Sequence, residues 1–105
     1  MRTEYGTRGK RIMREREIEK KLIAAVKNKG GLALKFVSPG IVGVPDRLLL
    51  MPGAKIAFAE LKAPGEKMRL IQIKRKGQLE ALGFKVYCID GIEQIEGVID
   101  EINKS

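Results

Sequence analysis

The chain contains no histidine. That absence removes Ser-His-Asp and Cys-His catalysis, histidine metal clusters, and every nuclease chemistry that uses imidazole as its base. Cys88 is the single cysteine, which excludes an internal disulfide framework and cysteine-rich zinc sites and fits a reducing cytosol. No apolar run reaches the length of about 18 residues that a membrane span needs. No apolar segment follows the basic N-terminus, so no signal peptide is read. Chemistry is left to carboxylates, lysine, hydroxyls and a bound metal.

Positive charge, by contrast, is plentiful and unevenly spread. The net charge is +8; residues 1–76 hold 19 basic and 7 acidic groups, and residues 77–105 hold 2 basic and 6 acidic. A concentrated positive field on a small domain points to nucleic acid, the plainer alternative being a solubilising charge. The basic groups form two clusters. One is Arg2, Arg8, Lys10, Arg11, Arg14 and Arg16; the other is Lys67, Arg69, Lys74 and Lys76, with Arg75 turned elsewhere. Neither is interleaved with aromatics, which favours contacts to backbone phosphates over stacking on bases.

The 105 residues suffice for one core. Residues 1–11 read as a flexible basic arm and 12–105 as a single domain. Ile18, Leu22, Ala25 and Val26 give a helix one apolar stripe, and Gly30-Gly31 stops it. Leu32–Val37 is a short strand. Arg47–Met51 and Lys55–Leu61 form a hairpin about Pro52-Gly53, and their nearly continuous apolar character suggests a sheet covered on both faces. A helix over Arg69–Leu82, with Leu70, Ile73, Leu79 and Leu82 apolar, leads to a strand at Phe84–Ile89 and a last helix at Ile92–Ile102. The expected class is α/β in the order α-β-β-β-α-β-α, with a mixed central sheet flanked by helices.

Within this order, Glu60 and Lys62 point to the same face at the end of an apolar strand, where charge is costly unless paired or bound to something. Folding the hairpin sets Asp46 opposite Ala59 or Glu60. Two converging carboxylates repel unless one is protonated or a cation lies between them. Oxygen donors suit Mg²⁺ or Mn²⁺, and such a metal can activate water against a phosphodiester while Lys62 orients that water or balances charge. Plainer readings exist: Asp46 as a turn residue, Glu60 and Lys62 as strand-end charges, Glu17 as a solvated helix acid, and Gln72 as a helix surface residue.

The pattern Glu17, Gly43-Val44-Pro45-Asp46, Glu60-Leu61-Lys62 and Gln72 resembles the VRR-NUC family of the PD-(D/E)xK, restriction-endonuclease-like nucleases, over about Glu15 to Asp100. The resemblance implies that Asp46, Glu60 and the Leu61 backbone carbonyl bind Mg²⁺ or Mn²⁺. It implies that a helix glutamate, Glu17 with Glu15 and Glu19 as rivals, completes the site directly or through water. It further implies catalytic roles for Lys62 and Gln72, and a cytoplasmic homodimer, of a bacterium or phage-infected host, cutting branched DNA such as four-way junctions. Lys67, Arg69, Lys74, Lys76, Arg8, Lys10 and Arg11 would hold the DNA, with no membrane and no small-molecule cofactor involved. The C-terminal or first helix would supply the dimer contact. The rival readings are an archaeal-type junction resolvase, a flap or duplex nuclease without junction preference, a non-catalytic DNA-binding module on the same fold, and a protein-interaction adaptor.

Overall fold

A computed structural model describes the backbone of residues 2–105 and the side chains of residues 14–105. Helix α1 covers Arg2–Asn28. Ile18, Leu22 and Val26, one turn apart, are all buried, so the expected stripe is the face that packs. The backbone of the segment expected as an arm continues this helix; the side chains of Arg2, Arg8, Lys10 and Arg11 lie outside those described.

The strands are β1 (Leu32–Lys35), β2 (Arg47–Met51), β3 (Lys55–Leu61) and β4 (Lys85–Ile89). They lie side by side in sequence order. The first three are antiparallel, and β3 with β4 is parallel, joined across helix α2 (Leu70–Ala81). A 3-10 turn at Ile92–Gln94 leads into helix α3 (Ile95–Lys104). This is the mixed α/β architecture expected.

Alternation along the strands divides the sheet into two unlike faces. Leu49, Met51, Ala57, Ala59 and Leu61 are all buried, in one cluster with Ile18, Leu22 and Val26 of α1 and Ile95, Ile99 and Ile102 of α3. The opposite face carries Leu32, Leu34, Leu48, Leu50, Ile56 and Phe58, aligned across strands by the pairs Leu32↔Leu50, Leu34↔Leu48, Leu48↔Phe58 and Leu50↔Ile56. Phe58 is buried there, its ring against Phe36 (5.4 Å) and Phe84 (5.7 Å). Leu32, Leu34 and Ile56 are exposed.

Two expectations are thereby corrected. Only one sheet face is fully covered. The apolar residues Leu70, Ile73 and Leu82 of the second helix segment face solvent, Leu70 at 86%. Helix α2 buries Gln72 instead, and its inward side continues through the half-buried Arg75, Lys76 and Leu79. The cause is polar: Arg75 Nε donates to the Val42 carbonyl at 2.9 Å, and Gln72 reaches the strand below. These bonds fix the rotation of α2 against its own hydrophobic pattern. The isoleucines of α3 are likewise committed to the core and are not available to a partner.

Leu22→Ala is expected to cost about 2–5 kcal/mol in urea unfolding because it opens a cavity in the core. Leu70→Ser is expected to change stability by no more than about 0.5 kcal/mol, since it alters a solvent-facing position.

Candidate active site

The hairpin register places Arg47 opposite Ala59, so Asp46 stands one step further, level with Glu60. Asp46 lies at a bend just before β2. Its position is held from two sides: the Phe36 N–H donates to its carbonyl at 2.9 Å, and the Leu61 N–H donates to its Oδ2 at 2.8 Å. The Gly43-Val44-Pro45 approach explains the bend. Gly43 has φ +83, and a Cβ there would lie 2.8 Å from the Ile71 carbonyl oxygen of α2. Only glycine meets both demands.

Glu60 is 2% exposed. Its Oε2 accepts from Gln72 Nε2 at 2.6 Å and lies 3.5 Å from Lys62 Nζ. Gln72 turns its own Oε1 to the Arg69 N–H at 2.8 Å, so one side chain joins the start of α2 to the end of β3. Gln72 is therefore a buried connector and not a surface residue. Among the described residues, the buried Glu60 Oε1 has no hydrogen-bond partner. Burial, then the neighbouring Asp46 charge, raises the Glu60 pKa above its usual range, while Lys62 and Arg69 oppose that shift.

The helix glutamates separate by rotation. At about 100° per residue, Glu15 and Glu19 fall on one flank of Ile18 and Glu17 on the other. Glu17 accordingly lines a cleft of about 270 Å³ with Arg14, Pro64, Asp90 and Glu93, away from Asp46. Glu15 is the helix acid that feels the site. Its pKa is raised by burial, then by the negative charges of Asp46 and Glu66, against the lowering effect of Lys62. Glu19 is engaged by Arg47, whose Nη2 and Nε lie 2.9 and 3.2 Å from Glu19 Oε2. Of the helix acids, Glu15 is the one whose electrostatics register Asp46, whereas Glu17 lines the cleft with Arg14 and Glu93.

Arg47 carries no role in the sequence reading. The signal was present, as a charged residue at a core-facing position of an apolar strand requires a partner.

Among the described residues, no three acidic or cysteine side chains stand close enough together to hold an ion by themselves. The donor set nonetheless fits a hard cation. Its atoms are carboxylate oxygens, and the buried, unpartnered Oε1 of Glu60 is an acceptor with nothing to accept from. Further oxygens would have to come from the backbone, water or a phosphate.

Around this site Lys67, Arg69 and Lys74 are exposed. Lys76 is half-buried and lies 2.6 Å from Glu80 one turn on, a surface pair of the kind common along helices. Arg75 is turned elsewhere, as its spacing suggests. The side chains of Arg8, Lys10 and Arg11 lie outside those described.

No family model matches the chain. It is 45% identical over 93 residues to a protein of Acyrthosiphon pisum secondary endosymbiont phage 1 named "Putative nuclease p44", an alignment covering 89% of this chain and 99% of that protein. A solved structure described as a VRR_NUC domain superposes with a TM-score of 0.78 at 25% identity, covering 83% of this chain and 95% of the other.

Glu60→Gln is expected to raise the metal-free melting temperature at neutral pH, because it removes a buried charge. One kcal/mol moves a domain of this size by about 4–8 °C, so the effect is measurable. A carboxylate whose pKa rises on folding destabilises above its folded pKa and not below its usual value of 4.5. The advantage of the variant should therefore shrink as pH falls toward 4.5 in calorimetric scans. A gain that is independent of pH would contradict this account.

Proposed function

The chain belongs to the VRR-NUC family of nucleases, and we propose that within it this protein is a metal-dependent DNA endonuclease acting as a homodimer on branched substrates such as four-way junctions. The observation that carries the metal dependence is the unpartnered buried Oε1 of Glu60 beside Asp46. Mg²⁺ or Mn²⁺ held by Asp46, Glu60 and the Leu61 carbonyl, with Glu15 completing the shell directly or through water, would supply Lewis-acid stabilisation of phosphoryl charge and an acidified water.

The remaining roles belong to the chain itself. Lys62, its side chain 13% exposed, keeps an ammonium 3.5 Å from Glu60, where it can orient the attacking water and balance charge developing on the phosphate. Gln72 holds the Glu60 carboxylate in one orientation and so fixes which oxygen faces the substrate. Lys67, Arg69 and Lys74, at the N-terminal side of α2, contact backbone phosphates without reading sequence. The basic segment at Arg8, Lys10 and Arg11 adds to the same field.

The homodimer reading is supported by the open sheet face. Leu32, Leu34 and Ile56 on the strands, with Ile73 and Leu82 beyond them, are exposed apolar side chains on a chain of net charge +8. A stable two-fold contact removes about 800 Å² from each partner, and exposed apolar side chains on one sheet face are what such a contact would bury. A two-fold dimer sets two sites against two strands, which suits symmetric incision of a junction. Among the described residues no helix is long and apolar enough to cross a membrane, and the proposed place of action is the cytoplasm of a bacterial or phage-infected cell.

End-labelled four-way junction, flap, duplex and single strand, each incubated in Mn²⁺, Mg²⁺ and EDTA, test this. Junction cleavage is expected in either metal and none in EDTA, with losses of about a hundredfold or more in Asp46→Asn and Lys62→Ala. Cleavage of another substrate would remove the junction reading and keep the chemistry. Binding without cleavage in any metal would leave a DNA-binding module. In sedimentation, Ile56→Glu is expected to convert dimer to monomer.

A further inference from the structure

We propose that the Arg47–Glu19 ion pair is the positioning device of this site: it sets α1 against β2 so that Glu15 stands level with Asp46. The inference rests on the metal-dependent reading above.

Its geometry begins at the far end of the helix. Val26 of α1 meets the end of β2 around Gly31, where an added Cβ would touch the Leu50 carbonyl, Met51 Sδ and Val26 Cγ1 together. Seven residues earlier, Glu19 receives the guanidinium of Arg47 at the start of the same strand. Helix and strand thus run alongside each other in the same sense. One further turn back along α1, about 6 Å at 1.5 Å per residue, brings Glu15 past Arg47 to the level of Asp46. Glu15 and Glu19 are four residues apart on one flank, so fixing one fixes the other.

Arg47 is well suited to this task. Its Nη1 also donates to the Ala33 carbonyl of β1 at 3.2 Å, so the guanidinium is anchored to the sheet while its fork holds the helix. The side chain is 16% exposed and next in sequence to Asp46, whose own oxygen is bonded to the Leu61 N–H. The apolar stripe of α1 alone permits small rolling and sliding on a face of alanines and leucines. A planar fork on a single carboxylate oxygen does not. Nothing in the chemistry requires Arg47 or Glu19 to touch substrate or metal.

The test is a Mn²⁺ titration of wild type, Arg47→Lys, Glu19→Gln, Glu15→Gln and the double variant Glu15→Gln/Glu19→Gln. Two signals are read: the Mn²⁺-induced rise in melting temperature and the Mn²⁺ concentration giving half-maximal cleavage. Arg47→Lys keeps the charge and removes the fork; Glu19→Gln keeps the shape and removes the charge. Each single variant is expected to raise the Mn²⁺ requirement about tenfold in both signals, the usual scale for groups that orient ligands. The double variant should be no worse than Glu15→Gln, because Glu19 acts through Glu15.

The proposal is overturned if Arg47→Lys and Glu19→Gln only lower the metal-free melting temperature and titrate Mn²⁺ as wild type does. It is overturned equally if the effects of Glu15→Gln and Glu19→Gln add in full, or if Glu15→Gln has no effect while the clamp variants do. A wild-type protein that responds to Mn²⁺ in neither signal would overturn the metal-dependent reading and this inference together. Failure confined to the variants leaves that reading standing.

Discussion

Glu60 is an ionisable side chain at 2% exposure, and a carboxylate cannot be taken out of water without donors to replace the solvent. Gln72 and Lys62 meet that demand at one oxygen only. Much of the molecule's less expected geometry follows. Gln72 must face inward, so α2 is rotated with Gln72, Arg75 and Leu79 toward the protein. Leu70 and Ile73, which the helical pattern marks as the buried side, are turned to solvent. Because the amide oxygen of Gln72 accepts from the Arg69 N–H while its NH2 donates to Glu60, the same side chain also fixes where α2 begins. The β-α-β crossover is thus oriented by a polar contact at the site, which leaves the apolar side chains of Leu70 and Ile73 uncovered.

The parts of the fold that were legible in the sequence are those where one strong pattern decides. The four-residue spacing of Ile18, Leu22 and Val26 identifies a packed stripe, and the Pro52-Gly53 turn sets a hairpin register that brings Asp46 level with Glu60. The parts that were not legible are those where two patterns compete. In α2 the apolar positions and Gln72 call for opposite rotations, and a hydrophobic reading ignores the amide. In α1 three glutamates compete for one role. Their angular positions about Ile18 separate Glu15 from Glu17, but choosing the flank requires knowing on which side the sheet presents Asp46. That side is set by the direction of α1 along β2, a tertiary fact with no local signature. The expectation that both sheet faces are covered failed for a related reason. Continuous apolar character reports that a surface avoids water, and another subunit could cover it as well as a helix of the same chain.

The charge of the protein sharpens in the same way. The basic count alone describes a field, but several of the cations are already occupied: Arg47 by Glu19, Arg75 by the Val42 carbonyl, Lys76 by Glu80. Lys67, Arg69 and Lys74 are left exposed around the start of α2, and the Arg69 N–H is tied through Gln72 to Glu60 at the end of β3. A polyanion drawn to them is drawn to the carboxylate pair as well. Without a compensating cation that would be unfavourable, since phosphate and two carboxylates repel. The divalent metal proposed above would resolve the conflict by giving the phosphate and the carboxylates a common counter-ion, and the basic rim and the acidic centre would then serve one ligand.

Helix α1 carries both halves of this arrangement. Its stripe supplies part of the core, and the flank beside that stripe gives Glu19 to Arg47 and carries Glu15, the acid proposed for the metal shell. Core packing tolerates small sliding of a helix, because leucine and alanine contacts are non-directional and lose little over a fraction of an ångström. The proposed metal shell would not, because ligands must be placed within about half an ångström. On that reading, a fold that uses one helix for both purposes needs a directional contact that the core does not provide. The fork between Arg47 and Glu19 is such a contact, set one residue from Asp46 and one helical turn from Glu15, where an error in helix position would otherwise be passed directly to the site.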